Sequence, residues 1–192
     1  MKKILAVAAL SLASLSATAE RADSLKQAKV DFDDAHIDEV TQTRIFTGNV
    51  VLTRGTLLIK ADKAVLKESP EGYMSAILTS APGKSASFRQ KRDGGPDLWT
   101  EGQAQRIEYD ERTEVVKLFS NAIVRQLEGK RMTNEVNGPF ISYDNRTEQA
   151  NVRNDASGES KPGGGRGTII IAPRRAPAAV NATAPAAGAA KQ

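Results

Sequence analysis

The residues able to do chemistry are few and scattered. His36 is the single histidine and the chain has no cysteine, so zinc ligation, thiol catalysis and disulfide bonding all lack their usual donors. Gly163, Gly164 and Gly165 make a glycine run in a polar stretch, but no helical pattern follows to turn it into a phosphate cradle. Arg89, Lys91 and Arg92 form a basic knot beside the reversal Asp93-Gly94-Gly95, suited to a solvated hairpin end or to contact with an anionic head group. Carboxylates are plentiful. Those that a pattern picks out, Asp33, Asp62, Asp110 and Asp144, each follow an apolar, any, apolar triplet, where a short acid hydrogen-bonds the backbone of a reversal. Turn capping is the expected role of all four. An enzyme would need a convergent acid, base or nucleophile set, and no such set is visible.

The elements that carry these residues read as short strands. Residues 107–114, Ile-Glu-Tyr-Asp-Glu-Arg-Thr-Glu, return 34 positions later as residues 141–148, Ile-Ser-Tyr-Asp-Asn-Arg-Thr-Glu. In each copy Ile and Tyr fall on one face of an extended strand, and the polar stretch beginning at Asp reverses the chain. Looser copies at residues 30–33 and 59–62 suggest a stack of hairpins. Residues 44–62 are rich in β-branched side chains and are punctuated by Gly48-Asn49 and Arg54-Gly55, which reads as strand, turn, strand. Ser69-Pro70-Glu71-Gly72 marks a further hairpin, and Ser120-Asn121 joins residues 115–119 to 122–125 as a weaker echo of Gly48-Asn49. No stretch sustains a helical apolar period, so the expected class is all-β.

The two ends differ from the body. Lys2 and Lys3, an apolar run over residues 4–15 and Ala17-Thr18-Ala19 form the layout of a cleaved signal peptide, residues 1–19, and of export to the periplasm. Residues 173–192 are almost all Ala, Pro, Asn and Gly, which predicts a disordered tail and leaves residues 20–172 as one domain. Formal net charge is +4, but residues 20–172 hold 22 basic against 23 acidic residues. A near-neutral body with one Trp gives no basic face for nucleic acid.

What remains is apolar strand surface. Leu57, Ile59 and Ala61 share a face, with Lys60 and Asp62 on the other, as in a sheet wet on one side. The inward residues Ile59, Ile107, Tyr109, Leu118, Ile141 and Tyr143 either fill a dry core or line a cleft for something greasy. The residues alone leave both open.

Residues 47–64, Thr-Gly-Asn-Val-Val-Leu-Thr-Arg-Gly-Thr-Leu-Leu-Ile-Lys-Ala-Asp-Lys-Ala, resemble the core motif of the OstA-like family. Ala86-Ser87-Phe88, Glu101-Gly102-Gln103-Ala104, Ser120-Asn121-Ala122 and residues 168–173 resemble later landmarks in the same order, so the resemblance covers residues 30–173. Three departures are local: Ser120 in place of a frequent Gly, a lengthened loop at residues 162–165 and the Ala-Pro tail. The resemblance implies a twisted, partly open antiparallel β-jellyroll with a hydrophobic interior groove that carries the acyl chains of lipopolysaccharide. It implies no cofactor and no catalytic residue. It also implies protomers joined head to tail into a bridge, an inner-membrane ABC transporter with a membrane-anchored relative, and an outer-membrane β-barrel translocon. The alternative is a non-catalytic β-sheet adaptor of outer-membrane assembly. On the carrier reading Val30, Phe32, Val50, Leu52, Leu57, Ile59, Phe88, Ile107, Tyr109, Leu118, Ile141 and Tyr143 include the lipid-facing set. Thr168, Ile169, Ile170 and Ile171 form an isolated apolar strand, expected to pair with the edge around residues 30–32 of the next molecule.

Overall fold

The computed structural model describes residues 23, 26–95, 97–144, 146–147 and 149–173; the expected signal peptide and all but the first residue of the expected tail lie outside them. Twelve strands follow one another: β1 (Ala28–Asp31), β2 (Asp34–Asp38), β3 (Thr43–Arg54), β4 (Leu57–Glu68), β5 (Met74–Thr79), β6 (Ala86–Lys91), β7 (Leu98–Ala104), β8 (Arg106–Asp110), β9 (Val115–Glu128), β10 (Arg131–Asp144), β11 (Gln149–Arg153) and β12 (Thr168–Ile171). Every pairing between them is antiparallel. The sequence pattern foresaw the class but missed β2 and the first half of β10. Both are polar stretches with too few alternating apolar residues to announce a strand.

Four long strands, β3, β4, β9 and β10, each change partner midway. Their outer stretches near residues 43–47, 63–68, 115–119 and 140–144 pair with β2, β5, β8 and β11 to form a first half-sheet. Their other halves pair with β1, β6, β7 and β12 to form a second. A single sheet thus bends along a line through its four longest strands and faces itself, which is how an antiparallel sheet encloses an apolar layer without a second sheet.

The bend is built from bulges. Gly48 and Asn49 stand against one residue of β4, since Thr47 pairs Lys63 and Val50 pairs Ala61; Ser120 and Asn121 likewise stand opposite the Gly138/Phe140 shift in β10. All four bulge residues have positive φ, between 46° and 75°. Both dipeptides were expected as chain reversals and are instead kinks inside continuous strands. The left-handed backbone is what the local chemistry demands, and only the partner strands decide whether it reverses the chain or bends it. Small side chains mark the same line: Ala61, Ala86, Ala104 and Ala122 are buried where the two layers converge and little more than a methyl group fits.

The twin turns form as expected. Asp110 Oδ1 accepts from Thr113 N at 2.9 Å, and Asp144 Oδ1 from Arg146 N and Thr147 N at 2.9 and 3.1 Å. Those amide bonds, from Thr113 and Thr147 above all, hold both carboxyls below the usual range. Asp33 and Asp62 do other work. Asp33 accepts from Asn49 Nδ2 at 2.8 Å across the first bulge, and Asp62, within β4, accepts from Ala81 N at 2.7 Å. Asp33 lies between the short β1 and β2 beside the bulge of β3, and Asp62 lies at the bend of β4, so each acid bonds to a neighbouring segment rather than to its own turn.

Candidate functional site

Register places the apolar residues in two rows. Across the first half-sheet Ala35, Phe46, Ala64, Leu78, Ile107, Leu118, Ile141 and Val152 stand side by side on eight strands. Across the second, Val30, Leu52, Ile59, Phe88, Gly102, Val124, Val136 and Ile169 do the same. Side chains alternate along each strand, so one parity lines the enclosed face and the other meets solvent. The outer parity of the second half-sheet is charged and paired, with Arg89 Nη1 2.7 Å from Glu101 Oε1 and Arg125 Nε 2.6 Å from Glu135 Oε2. Arg89 also lies 4.4 Å over the Trp99 ring, so the basic knot expected at this hairpin is partly spent on its own neighbours.

The rows differ in depth. Ile107, Leu118 and Ile141 are 2%, 0% and 1% exposed, whereas Ile59, Phe88, Val124 and Val136 are half-buried and Ile169 is 61% exposed. The enclosed face is therefore a closed core in the first half-sheet and an apolar groove open to water in the second. Of the twelve expected lipid-facing residues, Ile107, Leu118 and Ile141 belong to the closed core of the first half-sheet, and Val50 and Leu52 are buried on the second-half stretch of β3, at the base of the open row. Val30, Leu57, Ile59, Phe88, Tyr109 and Tyr143 are half-buried; Phe32 is exposed, with its ring 4.9 Å from Phe46. Sequence reasoning left out Val124 and Val136, which complete the open row. Val136 stands nearly alone as an apolar residue among polar ones, and Val124 follows Ala122 and Ile123 directly, so no period-two alternation picked either out.

The Phe88 ring reaches across to β7, where a Cβ on Gly102 would stand 2.1 Å from Phe88 Cε1. Glycine lets the ring lie flat on the groove floor. Tyr109 stands on the inner face of the first half-sheet, and burial, then Glu111 and Glu114, push its phenol up to about 12, leaving it a neutral donor. His36 lies on the exposed outer face opposite Ile45, and no group of three His, Cys, Asp or Glu among the described residues could hold a metal ion.

Strand β12 lies antiparallel to β10, pairing Thr168 with Asn137 through Ile171 with Asn134. Its other edge carries no strand among the described residues, and the same holds for β1, which pairs with β3. The two free edges of the second half-sheet are the two ends of the open apolar row.

A bent antiparallel sheet with an apolar groove running edge to edge across one half defines an open β-jellyroll. The family described as LptA/(LptD N-terminal domain) LPS transport protein matches residues 29–149. The lipopolysaccharide export system protein LptA of Haemophilus influenzae is 32% identical over 83% of this chain and 87% of its own; LptA of Escherichia coli is 31% identical over 68% of this chain and 66% of its own. The crystal structure of LptH, described as the LptA-homologous periplasmic component of the lipopolysaccharide transport device of Pseudomonas aeruginosa, superposes with a TM-score of 0.65 at 25% identity. That match covers 79% of this chain and 99% of LptH. The chain belongs to the LptA/LptD N-terminal domain family of lipopolysaccharide transport proteins.

Proposed function

We propose that the protein is a periplasmic carrier of lipopolysaccharide, holding the acyl chains in the groove of the second half-sheet and catalysing no reaction. The observation that carries this reading is the open apolar row from Val30 to Ile169, in a fold whose other half is sealed. Burying a methylene is worth about 0.8 kcal/mol, so a chain of about a dozen carbons exposed to water costs on the order of 10 kcal/mol. Non-directional contact with Ile59, Phe88, Val124 and Val136 offsets that cost while letting the chain slide.

Head-to-tail assembly extends the groove. The two free edges differ, so pairing one with the other is heterologous and need not close. Charge favours it: residues 28–39 hold four aspartates and Glu39 against Lys29, whereas residues 149–173 hold Arg153, Lys161 and Arg166 against Asp155 and Glu159. Opposite net charges on the two ends steer unlike ends together and keep like ends apart. Export by a cleaved signal peptide ending at Ala19, and end partners at the inner and outer membranes, complete the proposal.

A photo-crosslinking amino acid at Ile59, Phe88 or Val136 is expected to capture lipopolysaccharide, while one at Lys60 or Glu101, on the outer parity, is not. Equal capture from both parities would remove the groove from the mechanism.

A further inference from the structure

The open apolar row of the second half-sheet has a polar row beside it. One step further from the bend, on β6, β7, β9 and β10, stand Gln90, Thr100, Gln126 and Asn134, each paired in register with the next. Side chains alternate along a strand, so these four share the inner parity of Phe88, Gly102, Val124 and Val136. All four are half-buried and none carries a charge. On the same strands the outer parity is Arg89, Glu101, Arg125 and Glu135, charged throughout and tied in two ion pairs.

The same step outward in the first half-sheet leads elsewhere. On β4, β5, β8 and β9 it reaches Leu66, Ala76, Tyr109 and Val116, side by side and apolar apart from one neutral phenol. In the second half-sheet, Asn134 Nδ2 donates to Gln126 Oε1 at 2.8 Å, which leaves Gln126 Nε2 as a donor and Asn134 Oδ1 as an acceptor. The side chains of Gln90 and Thr100 make no hydrogen bond among the described residues. Uncharged donors and acceptors thus lie together along three strand spacings, about 14 Å.

We propose that Gln90, Thr100, Gln126 and Asn134 form a shelf that hydrogen-bonds the sugar at the neck of an amphiphile whose chains lie along Phe88, Val124 and Val136. This rests on the carrier reading and adds to it the group that sits where the chains leave the apolar row. A head that both donates and accepts satisfies the shelf, whereas one that only accepts leaves Gln90 Oε1 and Asn134 Oδ1 desolvated without a partner. A lone amide would engage the side chain of one strand. The hydroxyls of a sugar, each donor and acceptor, can engage successive strands.

The test compares dodecyl maltoside with octaethylene glycol dodecyl ether, which has the same chain and a head that accepts along its length and donates only at its tip. Both are used below their micelle thresholds, by displacement of a groove-bound fluorophore. The parent is expected to bind the maltoside about tenfold more tightly, the worth of one or two net hydrogen bonds. Gln126→Leu with Asn134→Leu is expected to abolish the preference without weakening the ether. Gln90→Leu alone is expected to reduce it about threefold, which keeps the test open if the double variant does not fold. Gln103→Leu, the same change on the outer parity of β7, is expected to leave it intact. Equal affinity of the parent for both amphiphiles overturns the shelf and leaves the carrier reading standing; binding of neither overturns both. A preference that survives in every folded shelf variant overturns the shelf. Displacement of the fluorophore by free maltose at the same concentration would make this a site for a free sugar and overturn the neck assignment.

Discussion

Gly102 shows how much one absent carbon decides. Its Cβ would collide with the Phe88 ring at 2.1 Å, and the ring could then only swing up into the groove. Gly102→Ala is expected to cost about 1–3 kcal/mol in urea unfolding through overpacking. Adding Phe88→Ala to the same chain is expected to return much of that loss, because the colliding atoms are gone. Neither residue announces this in the sequence, where Gly102 reads as a break in an alternating strand. A period of two reports which face a side chain occupies and nothing about depth. Leu118 and Ile59 carry the same signal, yet one is sealed in the core and the other meets water.

At the scale of elements, the bulges are where strain is held. Ser120 and Asn121 adopt φ of 63° and 54°, a region costing an L-residue roughly 1–2 kcal/mol. Ser120→Gly is expected to stabilise by about 0.5–1 kcal/mol, the relief of that cost less the chain entropy of glycine, read as a higher urea midpoint. The strand class, the Asp-capped turns and the Ser69–Gly72 reversal were legible because their chemistry is local. The sharing of each long strand between two layers was not, because Gly48-Asn49 and Ser120-Asn121 carry the residues of a turn and differ from one only in what lies alongside. The capped turns give a pH signature. Asp110 and Asp144 are held more acidic by the amides of Thr113 and Thr147, so their contribution is complete above the unfolded value of about 4 and is lost as pH falls through the folded one. Urea midpoints are expected to fall below pH ~4, and Asp110→Asn with Asp144→Asn to make that fall shallower.

For the whole molecule, the geometry of β12 resolves which of its amides face outward. Ala172 N donates to Thr133 O at 2.8 Å, so alternate residues Ile170 and Thr168 also aim their N–H groups at β10, and those of Ile169 and Ile171 point to the free edge. On the head-to-tail proposal, Ile169→Pro is expected to leave a folded monomer that still takes up amphiphile but no longer assembles. Ile170→Pro is expected to loosen β12 and lower the melting temperature. Filaments from both variants matching the parent in light scattering would exclude this edge as the joint.

The four shared strands also constrain how the chain acquires its structure. β3 and β4 are joined through Gly55-Thr56, and β9 and β10 through Gly129-Lys130, so each pair is a hairpin able to zip from its own turn with little loop to close. Neither hairpin belongs to one layer, so neither layer can be completed first. β5 with β8 and β6 with β7 must dock between the two hairpins, and each docking extends one layer while the shared strands commit the other. The late step is the joining of two preformed ribbons by two bridges, a non-local event of the slow kind. Until it happens the apolar side of each ribbon is bare along its full length, so the nascent protein passes through its most adhesive state just before the groove exists.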